Sequence, residues 1–201
     1  MTHKIGFACK WIDNASQVDG IKPSDDCKKY NTGTTTVAWL DRQTPHTADK
    51  KLWDLLKQNI EATRKLVHKV STLAEPLRMV RLSSDILPVY THAKYCEFYR
   101  RPDVVAYMSR EFARIGDIAR QSGTRLSFHP GQFCVLASDR PDVVENSIAE
   151  FEYHADMVRW MGFGTTFQDM KINVHISGKQ GPEGIRKAYK KLSPEARNCL
   201  T

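Results

Sequence analysis

Two stretches of this chain end in the same way: Arg125-Leu126-Ser127-Phe128-His129-Pro130-Gly131-Gln132-Phe133 and Lys171-Ile172-Asn173-Val174-His175-Ile176-Ser177-Gly178-Lys179. Each is a short strand-like run that stops at a histidine and passes into a glycine-containing turn. Two more strand-like runs lie upstream, at residues 4–9 (KIGFAC) and 78–82 (RMVRL). Between successive runs, apolar residues recur at helical spacing. Strand alternating with helix predicts parallel βαβ crossovers and places the chain in the α/β class. In a (β/α) barrel, ligands and catalytic groups gather at the C-terminal ends of the strands, where both histidines fall. Histidine is the commonest metal ligand, so the pair predicts a metal centre.

The helices can be placed with some detail. The first is expected from Thr47 to about Leu73, with Leu52, Leu55, Leu56, Ile60, Leu66 and Val67 on its apolar face. The second opens at Asp103 and stops at Gly123, and its stripe is Val104, Val105, Met108, Phe112, Ile115 and Ile118. The third is expected from Asp139 to Gly162, with Pro141 near its first turn. The fourth runs from Gly184 to about Lys191, and Ser193-Pro194-Glu195 restarts or extends it. Strands are expected at 4–9, 78–82, 125–128 and 171–176. Residues 12–47 read as an irregular insertion after the first strand, with one short extra strand at Thr34 to Leu40. Residues 83–95 (SSDILPVYTHAKY) read as a loop.

Four strand-helix units are half of the eight in a closed barrel, which takes about 250 residues. The expected fold is therefore α/β, of TIM-barrel type, with residues 1–201 forming the N-terminal half of a (β/α)8 barrel as a single domain. Either the sequence is a fragment, or the half sheet pairs with something else. Its open edges predict association, including self-association.

Composition narrows the partners. With 41% hydrophobic and 26% charged residues, the chain can bury a core and reads as a soluble globular protein. A net charge of +7 favours polyanions, nucleic acid first. Five cysteines, an odd number at wide spacings without a CxxC, argue against a disulfide framework or a cysteine zinc site. A reducing, cytoplasmic setting is the expectation. The N-terminus lacks a signal-peptide core, and no run is apolar enough to cross a bilayer. No GxGxxG or GxxxxGK[ST] loop is present, and no Cys-His pairing for a nucleophile follows from the spacing.

Read together, Arg81-Leu82-Ser83-Ser84-Asp85-Ile86-Leu87-Pro88, the RLSFHPGQF run at 125–133 and Asn173-Val174-His175-Ile176-Ser177-Gly178-Lys179 resemble the ultraviolet damage endonucleases, a DNA-repair family with a metal-dependent barrel. The resemblance runs from about residue 4 to the end, and Gly6-Phe7-Ala8-Cys9 fits it. It implies a cluster of divalent metals, manganese or zinc, with His92, His129 and His175 among the ligands. It implies that Gln132 and Phe133 push into the duplex at the lesion and that Phe7 lies near it. Many relatives carry Tyr where this chain has Phe133, and Asn where it has Trp11. The implied reaction is hydrolysis of a phosphodiester beside ultraviolet-damaged bases in double-stranded DNA, within a bacterial nucleoid if the source is bacterial. The family's remaining ligands, including a bridging Glu, come from later strands, so this chain is expected to be incomplete for catalysis. The alternatives are an apurinic endonuclease or sugar isomerase of the same barrel group, or a truncated, non-catalytic DNA-binding or assembly module.

Each residue also has a plainer reading. His129 and His175 are metal ligands or satisfied histidines at strand ends. Phe133 is a lesion probe or a ring packed in the barrel top. Lys179 contacts a phosphate or is a solvated loop lysine. Asp85 is a ligand or a turn cap. His3, His46, His68 and His154 fit surface or packing roles, and Lys187, Lys190 and Lys191 a solvated helix face.

Overall fold

A computed structural model describes residues 3–12 and 25–201. Residues 13–24, part of the expected insertion at 12–47, lie outside the described residues. Four strands, β1 (Phe7–Ala8), β2 (Met79–Arg81), β3 (Arg125–Phe128) and β4 (Lys171–Ile172), form one parallel sheet in the order β1-β2-β3-β4. The helices are α1 (Asp25–Lys28), α2 (Val37–Asp41), α3 (Pro45–Ser71), α4 (Cys96–Arg100), α5 (Pro102–Ser122), α6 (Pro141–Trp160), α7 (Gly181–Lys191) and α8 (Pro194–Cys199). Strand order follows chain order without reversal. Right-handed crossovers then put every connecting helix on the same side of the sheet. A doubly wound fold would reverse direction and cover both sides. The arrangement is that of a partial TIM-type barrel, as the strand-helix pattern predicts.

Local chemistry sets the helix ends. Thr44 Oγ1 accepts the Thr47 N–H at 3.2 Å, and Pro45 supplies the fixed φ of a first turn, so α3 begins two residues before the expected Thr47. Gly123, at φ +64°, ends α5 in the left-handed conformation that glycine adopts without strain. Gly116 has a different task. A Cβ there would come within 1.8 Å of the Met161 carbonyl oxygen, so glycine lets α5 lie against the end of α6.

Three expectations need correction. Thr34 to Leu40 is not a strand: Val37–Asp41 is helical, Thr36 Oγ1 caps it by accepting the Trp39 N–H at 3.2 Å, and Leu40 is buried. A run of threonines reads as strand by propensity, but a threonine hydroxyl at a helix start serves as a cap. The first and last strands are also shorter than expected, two residues each. Beyond β4 the ladder continues elsewhere: Leu200 pairs in parallel with Ile172, and the Val174 N–H donates to the Thr201 carbonyl at 3.0 Å. The next strand position beside β4 is thus taken by the segment after α8.

The sheet has two unlike faces. Val80, Leu126, Phe128 and Ile172 point to the helices and are at most 4% exposed. They pack in one core with Leu56, Val67, Phe112, Ile115, Phe151 and Met157. Alternation along each strand turns their neighbours to the opposite, inner face. There the register aligns Ala8, Arg81, Ser127 and Lys171 in one row. Among the described residues, no helix is long and apolar enough to cross a membrane.

Candidate metal and nucleic-acid site

The C-terminal ends of β3 and β4 bring His129 and His175 together, with ring centroids 4.6 Å apart. His129 directly follows the end of β3, while His175 lies three residues beyond Ile172, the register partner of Phe128, so the two rings meet across an offset of two positions at the tips of neighbouring strands. His129 Nδ1 lies 2.8 Å from the Pro130 carbonyl oxygen, which requires that nitrogen to donate. The Nε2 lone pair is then left for an electrophile, the state a metal-binding imidazole needs. The His129 carbonyl accepts from Ser84 Oγ at 2.9 Å. Ser84 is held in turn, since its own carbonyl accepts the Tyr153 hydroxyl at 2.8 Å.

His92 is not gathered with this pair. It is exposed, its ring tilts over Tyr95 at 5.6 Å, and its Nδ1 accepts the Lys94 N–H at 3.3 Å. Among the described residues, no three histidine, cysteine or carboxylate side chains are placed to share one ion. His92 instead lines a cleft of about 570 Å³, with Thr91, Gly131, Phe133, Asn146 and Glu150. Burial pushes the Glu150 carboxyl above its ordinary pKa.

The turn after β3 presents Phe133 to solvent, 84% exposed, with Gln132 exposed beside it. The ring does not pack into the core of the described residues. Phe7 is placed differently. Its register partner is Val80, so it points to the helix side, half buried and edge-on to Trp11 at 5.4 Å. Lys179 is exposed but paired with Asp139 at 3.0 Å, and that contact holds the Asp139 carboxyl below the usual carboxylate range.

The residues that support the site carry weak sequence signals. Asn59, fully buried on α3, donates to the Gly33, Asp85 and Ile86 carbonyls at 2.9, 3.1 and 3.0 Å and accepts the Gly33 N–H at 2.8 Å. Tyr153 on α6 accepts the Leu87 N–H at 3.0 Å. Together they pin the loop after β2 to two helices. A polar side chain inside an otherwise apolar helical stripe was the available clue, because a buried amide or phenol must find partners. His154 has the packing role expected of it: fully buried, its Nδ1 lies 2.7 Å from the Glu150 carbonyl, and burial lowers its pKa to about 4. Burial also pushes the Cys134 thiol up to about 12, which removes it as a nucleophile.

A parallel strand-helix half-barrel with imidazoles paired at neighbouring strand ends defines a class in which the strand tips carry the chemistry. Known proteins narrow that class. The family model described as UV-endonuclease UvdE matches residues 4–201, and the chain belongs to that family. A UV DNA damage endonuclease of Bacillus thuringiensis subsp. konkukian (strain 97-27) is 31% identical over 181 residues, covering 88% of this chain and 53% of that protein. One from Bacillus mycoides (strain KBAB4) is 31% identical over 156 residues, covering 78% of this chain and 45% of that protein. The solved structure titled "Crystal Structure of SacUVDE" covers 99% of this chain with a TM-score of 0.73 at 24% identity, a likeness of fold, and 60% of that structure is matched. The chain spans about half the length of the curated relatives it matches.

Proposed function

We propose that this chain forms part of a metal-dependent endonuclease that hydrolyses a phosphodiester beside ultraviolet-damaged bases in double-stranded DNA. The observation that carries the reading is the contact between His129 and His175, rings 4.6 Å apart, with an exposed Phe133 on the same strand-end turn. The named relatives support it by family. The two imidazoles fit two positions of a manganese or zinc site, donor types both metals accept. Further ligands, carboxylates above all, are needed for a cleaving centre, and His92 would join only if its loop moves. When bound, the metal would activate water and neutralise charge on the phosphate. Within this chain, the Pro130 carbonyl fixes the tautomer of His129, and Ser84 with Tyr153 fixes its position. Phe133 would stack on an unstacked base, and Gln132 would fill the space beside it. Lys179 would exchange Asp139 for a DNA phosphate. The cell location that follows is the cytoplasm, beside the nucleoid in a bacterium.

The test pairs metal content by elemental analysis with nicking of ultraviolet-irradiated supercoiled plasmid. The chain should carry manganese or zinc, and His129→Ala with His175→Ala should remove it. Unchanged metal content in the double variant would sink the site. Nicking of irradiated but not unirradiated plasmid would show a working centre at this length. Binding to irradiated duplex without nicking would mean that the remaining ligands must be supplied.

A further inference from the structure

The loops after β3 and β4 are fastened to each other at Ala137 and Ser138. Gln180 donates to both: its backbone N–H to the Ala137 carbonyl at 3.0 Å, and its side-chain Nε2 to the Ser138 carbonyl at 2.6 Å. Ala137 and Ser138 are 1% and 7% exposed, and carbonyls of buried residues need donors. Gly178 lies against the same two residues. It sits at φ +115°, and a Cβ there would come within 2.4 Å of the Ala137 carbonyl oxygen. Glycine is required there twice over, by conformation and by the close approach. The receiving loop is itself tied to α6, where Ser147 Oγ accepts the Val135 N–H at 2.8 Å and donates to the Val143 carbonyl at 2.7 Å.

The two histidines depend on this fastening unequally. His129 is held by its own bonds, from Nδ1 to the Pro130 carbonyl and from Ser84 Oγ to its carbonyl. His175 takes its place from the chain on either side. Before it, the Asn173 N–H donates to the Phe128 carbonyl at 3.0 Å. After it, Ile176 and Ser177 lead to Gly178. A two-residue span reaches on the order of 7 Å, so a fixed Gly178 limits how far His175 can swing. Paired metal ligands need that restraint, because a loose supporting shell spoils the site.

We propose that Gln180 and Gly178 are positioning residues for the paired imidazoles: by fastening the loop after β4 to Ala137 and Ser138, they hold His175 in contact with His129. The ring contact is a property of the fold, and its consequence for metal binding rests on the function proposed above. Lys179 lies between the two residues. Its exposed pair with Asp139 can open to a phosphate while the fastening at Gln180 holds.

The test reads nuclear Overhauser effects between the carbon-bound ring protons of His129 and His175. Those between Phe128 and His154 serve as a control in the core. The whole chain would be compared as wild type, Asp139→Asn, Gly178→Ala and Gln180→Glu. Gln180→Glu keeps the shape and replaces the donor with an oxygen that repels the Ser138 carbonyl. Wild type and Asp139→Asn should show both contacts. Gly178→Ala and Gln180→Glu should lose the contact of His129 with His175 and keep that of Phe128 with His154. Zinc titration by calorimetry should then show binding weakened by about 10- to 100-fold in these two variants. If Gly178→Ala does not fold, Gln180→Glu decides alone. A contact between His129 and His175 that survives in Gln180→Glu would overturn the proposal. Loss of both contacts together in that variant would overturn it too, as the mark of a general structural role. Loss in Asp139→Asn would overturn it by moving the fastening to the ion pair. If wild type shows the ring contact but takes up no zinc, the metal-site reading fails, and selective loss of the contact in Gln180→Glu still supports the positioning role.

Discussion

One sheet presents two faces that obey different rules. The helix-facing row of Val80, Leu126, Phe128 and Ile172 is closed, apolar and packed against three long helices. The inner row of Ala8, Arg81, Ser127 and Lys171 is mostly polar. Strands of two to four residues therefore serve both purposes by alternation alone. The apolar packing lies on one side, and the polar side chains of the strands lie on the other. Phe128→Ala should break the first face. The ring is fully buried, so its loss should lower unfolding free energy by about 3–5 kcal/mol in urea titration. Lys171→Ala on the opposite face should stay within about 0.5 kcal/mol of wild type. Equal losses at the two positions would mean that the faces are not energetically distinct.

Acid should weaken the closed side next. His154 sits beside Phe128, with ring centroids 5.3 Å apart, and burial lowers its pKa from 6.5 to about 4. The unfolded chain takes up a proton that the folded chain refuses. His154 thus contributes stability that is present above pH 6.5 and lost as pH falls towards 4, up to about 3 kcal/mol. Glu150 works in the opposite sense, because its raised pKa favours the fold at low pH. Comparing wild type with His154→Phe across this window isolates the histidine. An identical pH dependence in the two proteins would refute the assignment. Asn59→Ala is a smaller perturbation. It orphans the Gly33, Asp85 and Ile86 carbonyls and the Gly33 N–H, and should cost about 1–3 kcal/mol by the same titration. It should also speed hydrogen exchange in the loop after β2 more than in β3.

These contrasts also explain what was legible in the sequence. The closed face was readable because burial imposes period: the stripes of α3 and α5 sit where 3.6-residue spacing puts them, and Arg125–Phe128 is a strand as expected. Capping residues were readable where glycine or proline acts alone, as at Gly123 and Pro141. Thr34 to Leu40 misled because β-branching suggests strand, while the hydroxyl of Thr36 was needed for a cap. The approach of His129 to His175 was legible from topology, since both follow the ends of strands that neighbour each other in the sheet. The place of His92 was not, because a loop residue has no register. The polar clamps of Asn59 and Tyr153 were hidden because their partners are backbone groups 26 and 66 or more residues away. A local window marks the polar side chain in an apolar stripe but not the partner it will find.

The smallest expected change in stability tests the recognition side. Phe133 is 84% exposed, so Phe133→Ala should leave unfolding free energy within about 0.5 kcal/mol of wild type. If the ring stacks on a base at a lesion, the same substitution should weaken binding to irradiated duplex by about 1–3 kcal/mol. Binding to undamaged duplex should change far less, because cationic contacts dominate there and the chain keeps its net charge of +7. Fluorescence anisotropy with matched irradiated and unirradiated duplexes separates the two. Equal weakening on both would make Phe133 a general contact. A stability loss comparable to that of Phe128→Ala would show that the ring packs after all. The opposed behaviour of these two phenylalanines, five residues apart on one strand and its turn, is the sharpest form of the contrast between a closed face and an open one.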